Sequence, residues 1–373
     1  LASVTHLNHF AAVAPRSSGD GGFEAMDMVN TLLPSLALRL ARMPLATMTW
    51  LERAHHVLTG RTLIILVGHY YVRDGEGWID NASVDVSLEY LSRECDVMPL
   101  QDALRRLEAG KPLPRKAVSL VVDDAAAPFY DMGWPSLHAA GIPFSLGVVP
   151  GLIREDTAEH LVARIMYGIT SIESDQRRGA MLQRARASLG HAASNDGPPL
   201  ERLFDALRGL GTEDLAHLAV HLDTPDETYM TWEQLAELRA HSVDLVPHSM
   251  SHPRFRYVTG SWLDWELSRS AELLEEHTHD VSSTFVFPYG STRCVTPRVR
   301  SGLVRHGYRY GLVTKPGITT PESDRFVLPR VNAEVSPDEF VRNVDRWQWA
   351  FAGRRRTLAT RDPLSQAPAA ATD

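Results

Sequence analysis

The chain has 373 residues, 44% of them apolar and 23% charged, the profile of a globular protein that buries a sizeable core in one large domain with additions. Its formal charge of -8 and pI near 6.1 leave no basic footprint for nucleic acid or anionic lipid and point to a neutral or weakly charged substrate. With only Cys95 and Cys294 present, a disulfide framework is excluded, although one bridge is not.

In chain order, residues 1 to about 22 are rich in Ala, Ser and Gly and read as a poorly ordered arm. The next stretch, "MDMVNTLLPSLALRLARMPLATMTWLERAHHVL", has helix-period apolar residues broken by Pro34 and Pro44, as in short helices packed on a main domain. "RTLIILVGHYYV" reads as a buried strand ending at Gly68 and His69. A helix, a short strand and a second helix stopping at Gly110 follow in "SVDVSLEYLSRECDVMPLQDALRRLEAG". "KAVSLVVDD" is the next strand, "GWPSLHAAG" a helix and "IPFSLGVVP" a strand. Alternation with short turns predicts an α/β fold with parallel strands.

Between 151 and about 222 the alternation lapses into helical, charged sequence, which reads as an insertion walling one side of a cleft. It resumes at "TWEQLAELRA", with Thr231 as N-cap, and "VDLVP", "STFVFPYG" and "RYGLVT" read as strands, the helix "TPRVRSGLVRHG" lying between the last two. The final "RRRTLATRDPLSQAPAAATD" has the composition of a disordered tail. The expected organisation is therefore an arm with short helices over 1–60, a main domain over 61–345 and a tail over 346–373. No apolar run reaches the roughly 18 to 20 residues that span a bilayer, and the start lacks a basic region followed by an apolar core, so a cytoplasmic protein without stable membrane insertion is expected.

In such folds ligands sit at the carboxyl ends of the strands, and the unusual residues collect there. His69 closes one strand, Asp123 and Asp124 close a second, and "PHSMSH" follows a third. An acid pair ending an apolar strand has reached solvent or a site, because a buried unpaired carboxylate is too costly to keep charged. The four-residue spacing of His248 and His252 predicts a helical turn with both imidazoles on one face, as a metal requires. With 16 histidines in the chain such a pair also arises by chance, but its place after a strand, in register with the Asp-Asp pair, favours the metal. Two imidazoles and one carboxylate leave a coordination position for water, and the second carboxylate is free to take a proton. His55-His56 and His277-x-His279 read as solvated, and Trp232, Trp262 and Trp265 as core residues rather than sugar platforms. Asn81-Ala-Ser83 fits a glycosylation pattern that is uninformative without a secretory signal.

Three stretches, "SLVVDDAAAPFYDMGWPSLHAAGIPFSLGVV", "TWEQLAELRAHSVDLVPHSMSHPRF" and "FVFPYGS...VRSGLVRHGYRYGLVT", resemble the successive motifs of the polysaccharide deacetylase family, whose catalytic unit is the NodB homology domain. The resemblance covers roughly residues 61 to 345 apart from the insertion. It implies a distorted (β/α) barrel that holds a divalent metal, zinc being the expected ion, and acts on an N-acetylated carbohydrate. It further implies that Asp123 is the catalytic base, that Asp124, His248 and His252 are the metal ligands, and that the backbone amide of Tyr289 helps bind the oxyanion. Removal of an acyl group, usually acetyl, from an N-acylated amino sugar is the expected reaction. A related hydrolase of O-acetyl esters or small cyclic amides, and a silent carbohydrate-binding protein on the same scaffold, are the alternatives.

The chain departs from the family pattern in three places. Ala125 replaces the usual Gly after the acid pair, a strained choice if the turn needs φ > 0, and the three alanines also suggest room for a bulkier substituent. The Arg usually found before Pro-Tyr is missing, which makes Arg330 in "FVLPRVN" the candidate to orient Asp123. The C-terminal Leu-x-His that often supplies the acid is also missing, which makes His69 the candidate general acid; His160 and His221 in the insertion are the fallback.

Overall fold

The strand sequences form a parallel set in the computed structural model, which describes residues 55–69, 81–155, 157–189, 198–225, 228–279 and 282–345. The arm and short helices expected before residue 55, the tail beyond 345 and the side chains of the Asn81-Ala-Ser83 pattern lie outside the described residues. In chain order the strands are β1 (Ile64–Gly68), β2 (Asp96–Val97), β3 (Ala117–Val122), β4 (Phe144–Val148), β5 (Asp244–Pro247), β6 (Thr284–Val286), β7 (Tyr310–Val313), β8 (Leu328–Pro329) and β9 (Val331–Asn332). One sheet runs β5-β4-β3-β1-β9, with β2 against the start of β3; the other runs β6-β7-β8.

Side chains that alternate between two buried clusters join the two sheets around one interior. Leu63 and Ile65, Ala117 and Val121, Val246, Val286, Leu312 and Leu328 come from both sheets and share one apolar cluster. The residues between them, Ile64, Leu66, Val118, Leu120, Val122 and Leu146, enter a different cluster under the surrounding helices. Two-residue periodicity with both faces buried is the signature of a barrel wall covered by helices. The fold is a distorted (β/α) barrel, its hydrogen-bonded ladder interrupted between β5 and β6 and between β8 and β9.

The helices are α1 (Asn81–Glu94), α2 (Leu100–Glu108), α3 (Trp134–Ala139), α4 (Ala158–Thr170), α5 (Asp175–Leu189), α6 (Pro199–Arg208), α7 (Thr212–His221), α8 (Trp232–Ala240), α9 (Gly260–Thr278), α10 (Pro297–Arg305) and α11 (Pro337–Val344). Helix α2 drives Leu100, Leu104 and Leu107 into the interior cluster. Its Gln101 bonds the Thr284 hydroxyl and its Glu108 the Tyr310 hydroxyl, so it plugs the end where the strands begin. The opposite end is left for the site. Thr231 caps α8 with a reciprocal bond to Gln234.

Helices α4 to α7 occupy the lapse in alternation and pack Ile165, Met166, Phe204, Leu207 and Leu215 against Trp262 of α9. The 19-residue α9 has no counterpart among the predicted elements, because its buried face carries Glu266, Ser270 and Thr278 as well as Trp262, Leu263, Leu267 and Leu274, and these polar positions break the apolar stripe. Trp262 and Trp265 are core residues, while Trp232 stacks on His277 at 3.9 Å between ring centroids. His56 is a correction to the solvated reading of His55-His56: it is buried and pairs with Glu322 at 2.6 Å. Among the described residues no helix is long and apolar enough to cross a membrane.

Candidate active site

The strand periodicity that fills the barrel also builds its mouth. Counting in twos past the interior positions, β1 leads from Ile65 to His69, β3 from Val121 to Asp123, β5 from Val246 to His248, and β8 and β9 from Leu328 to Arg330 and Glu334. Side chains two apart leave a strand on the same face, so these residues rise from different strands into one opening. Gly147 on β4 keeps the gap between them narrow, since a Cβ there would lie 3.4 Å from Asp123 Oδ1 and 3.5 Å from the His248 Cβ.

Asp124 is out of step with this count and reaches the mouth by a backbone device. It and Ala125 adopt left-handed conformations, φ 76 and φ 53. Ala125, which stands where the resembled motif has glycine, takes up a conformation that glycine adopts without strain. The suggested room beside the acids does not open: Ala125 is buried in the outer core, its carbonyl accepts the Met230 N–H at 2.9 Å, and Ala127 N–H bonds the Thr228 carbonyl. Ala125→Gly is expected to stabilise the protein by about 1 kcal/mol in urea unfolding, because the turn is strained by a Cβ.

The histidine pair meets for a different reason from the predicted helical turn. Residues 248–252 form a loop after β5, with Ser249 at φ 70 and His252 at φ 50. The loop still brings His248 Nε2 to 3.3 Å and His252 Nε2 to 3.2 Å from Asp124 Oδ1. One ligand atom from each of the three residues falls within 4.8 Å of the others.

These donors fit a cation. His248 Nδ1–H donates to the buried Val286 carbonyl at 2.8 Å, which fixes the proton on Nδ1 and leaves Nε2 as a lone pair aimed at the carboxylate. Asp124 Oδ1 is itself buried without a hydrogen-bond partner. Lone pairs facing lone pairs inside a protein call for positive charge between them. The Asp124 carboxyl lies well below its ordinary range: burial alone would raise it, but the adjacent His252, His248 and His69 outweigh that.

Arg330 lies at the break between β8 and β9, 1% exposed, with Nη1 donating to Asp123 Oδ1 at 2.6 Å. It is a buried arginine in contact with Asp123, not a surface one. His69 is held by Glu334, a residue absent from the predicted site: the His69 backbone N–H donates to Oε1 at 2.6 Å and its Nδ1–H to Oε2 at 3.0 Å. The ring's Nε2 is thereby directed to Asp124 Oδ2, 3.5 Å away. Burial would lower the imidazole's pKa, but the Glu334 hydrogen bond and the charges of Asp124, Glu334 and Asp123 bring it up to about 9. The signal for Glu334 in the sequence is its even spacing from Leu328, legible once the strand is known.

Tyr289 has φ 58, its ring 4.8 Å from that of His252 and under the Arg254 guanidinium at 4.0 Å. From the insertion, Tyr167 of α4 brings its ring to 6.1 Å from His252. Of the fallback histidines, His160 bonds the Gly151 carbonyl through its ring, and His221 is an exposed residue at the end of α7.

Residues 195–311 match the family model for polysaccharide deacetylase, a span that holds His248, His252 and Tyr289 but not the acid pair. Significant matches to curated protein sequences were not found. Among solved structures, the Streptococcus pyogenes deacetylase PplD in complex with acetate is 15% identical with a TM-score of 0.52, the match covering 76% of this chain and 98% of that one. The deacetylase domain of BpsB from Bordetella bronchiseptica is 19% identical, TM-score 0.46, over 73% and 96% of the two chains. IcaB from Ammonifex degensii is 17% identical, TM-score 0.48, over 78% and 98%. Over residues 195–311, which hold the histidine and Pro-Tyr motifs, this chain is thus similar to the polysaccharide deacetylase family, and its barrel fold is shared with PplD.

Proposed function

We propose that the protein is a metal-dependent deacetylase that hydrolyses the amide of an N-acylated amino sugar in a glycan, glycolipid or small glycoside. The observation that carries this reading is the set of three inward lone-pair donors, Asp124 Oδ1, His248 Nε2 and His252 Nε2, beside a second carboxylate, Asp123, that Arg330 holds apart from them. Asp124, His248 and His252 would hold the cation, with zinc suited to two imidazoles and one carboxylate. When bound, it supplies charge that polarises the scissile carbonyl and acidifies a water in the cleft.

The remaining steps belong to the chain. Asp123, aligned by Arg330, accepts the proton of the attacking water. The Tyr289 backbone N–H shares the negative charge that develops on the carbonyl oxygen. His69, kept protonated by Glu334, gives its proton to the departing nitrogen, so that water and amide become a carboxylate and an amine. The protein's net negative charge agrees with a neutral sugar substrate.

Two measurements test this. The purified protein is expected to carry a tightly bound divalent ion, and His248→Ala and His252→Ala are each expected to abolish it, because loss of one of three protein ligands weakens such a site severely. Unchanged metal content in both would sink the assignment. Turnover of matched N-acetyl and O-acetyl sugars should be lost on chelation, return with zinc and favour the N-acetyl substrate; preference for the O-acetyl partner would make the protein an esterase.

A further inference from the structure

The loop that carries His252 is not self-supporting. Ser249 and His252 are both left-handed, a conformation that strains any residue with a Cβ, and within the loop the Ser249 hydroxyl accepts the His252 N–H at 3.0 Å. His248 is fixed separately, by β5 and by the Val286 carbonyl. What holds the rest comes from α9. Glu266 Oε2 accepts the backbone N–H groups of Met250 at 2.8 Å and Ser251 at 3.0 Å, and Oε1 accepts the Ser251 hydroxyl and the Trp262 indole N–H at 2.7 Å.

Two successive backbone amides converging on one oxygen form an anion-binding nest, here filled from within the protein. Glu266 is 0% exposed on the buried face of α9, one turn from Trp262 and Leu263 and next to Leu267 in sequence. A carboxylate in such a place is costly to bury, and burial pushes its carboxyl up to about 7 in spite of the donors around it. An aliphatic side chain would fill the space without that cost but would strand two amides, a hydroxyl and an indole N–H in the core. The structure thus ties the position of one candidate ligand to a carboxylate that touches neither ligand nor substrate.

We propose that Glu266 is the positioning residue of the metal centre: its carboxylate locks the Met250–Ser251 amides so that His252 meets Asp124 and His248 already arranged for a cation. This rests on the reading that those three residues bind metal. Glu266→Gln keeps size and shape, but its amide nitrogen must face donors, so at least one of the bonds is replaced by a clash of N–H groups.

The test is zinc affinity of the full-length, metal-stripped protein, measured by competition with a chromophoric chelator and set beside the melting temperature of the stripped protein. Glu266→Gln should weaken zinc binding by about 10- to 100-fold, as loss of a supporting shell does. Trp265→Phe serves as the control: it removes the indole bond to Glu159 from the same helix and should lower the melting temperature without moving the affinity. Should Glu266→Gln fail to fold, Ser251→Ala removes the hydroxyl bond from the loop side and should also weaken zinc. Wild-type affinity in the folded variants, or losses of affinity in Trp265→Phe that match theirs, would make Glu266 a core polar residue and no more. A wild-type protein that binds no zinc overturns the metal reading itself, and this inference with it.

Discussion

Asp123→Asn is expected to retain its metal and lose roughly 10²-fold or more in turnover, whereas Asp124→Asn loses the metal. Equal charges in adjacent positions serve unequal roles because the backbone turns between them. Asp123 continues the inward face of β3 and meets the Arg330 guanidinium at 2.6 Å; Asp124, at φ 76, swings to the two imidazoles. Asparagine at 123 still accepts a hydrogen bond from Arg330 but cannot take up a proton from water, so KM and metal content should hold while kcat falls. Asparagine at 124 replaces an anionic ligand by a neutral one, so a cation there would lose the negative charge that two neutral imidazoles cannot supply. Metal analysis of both variants beside kcat decides the matter: if Asp123→Asn is the one that arrives without metal, the two roles are exchanged.

The residues in these roles were legible in the sequence to different depths. Asp123, Asp124, His69 and His248 end apolar runs, and a strand that terminates in polar groups marks its own mouth. His248 and His252 were paired by their spacing and do come together, although through a loop and not the helical turn assumed for that spacing, since side-chain identity does not reveal a left-handed φ at serine. Arg330 could be named from charge alone, but its burial depends on the break between β8 and β9, each two residues long and too short to show periodicity. Glu334 and Glu266 were hidden for a related reason. Both are acids whose importance lies in a partner distant in sequence, His69 for one and the Met250–Ser251 amides for the other, and no local pattern records such pairs. Helix α9 was obscured by the same Glu266 that the loop requires.

His69→Ala is expected to lower amide turnover by roughly 10²-fold or more while leaving metal content and fold intact. An amine cannot leave as an anion, so the nitrogen must receive a proton, and the imidazole that Glu334 grips through both its ring and its backbone N–H is presented to the mouth with Nε2 forward. The general acid must be protonated, so activity should fall as pH rises through its pKa, and this alkaline limb should vanish in the variant. An ester with a good leaving group needs little protonation and should be hurt much less. The sign can be checked without turnover. In the metal-free protein the imidazole is raised from 6.5 to about 9, so the stability it contributes is fully present below about pH 6.5 and is lost as pH climbs towards 9. A cation at Asp124 opposes that protonation, so the limb in the loaded enzyme should lie at lower pH than the melting transition of the stripped protein. Glu334→Gln should move both in the same direction, downward, because it removes the anion that the imidazolium faces. If amide and activated-ester turnover fall equally in His69→Ala, the histidine only packs the rim and the proton comes from another group.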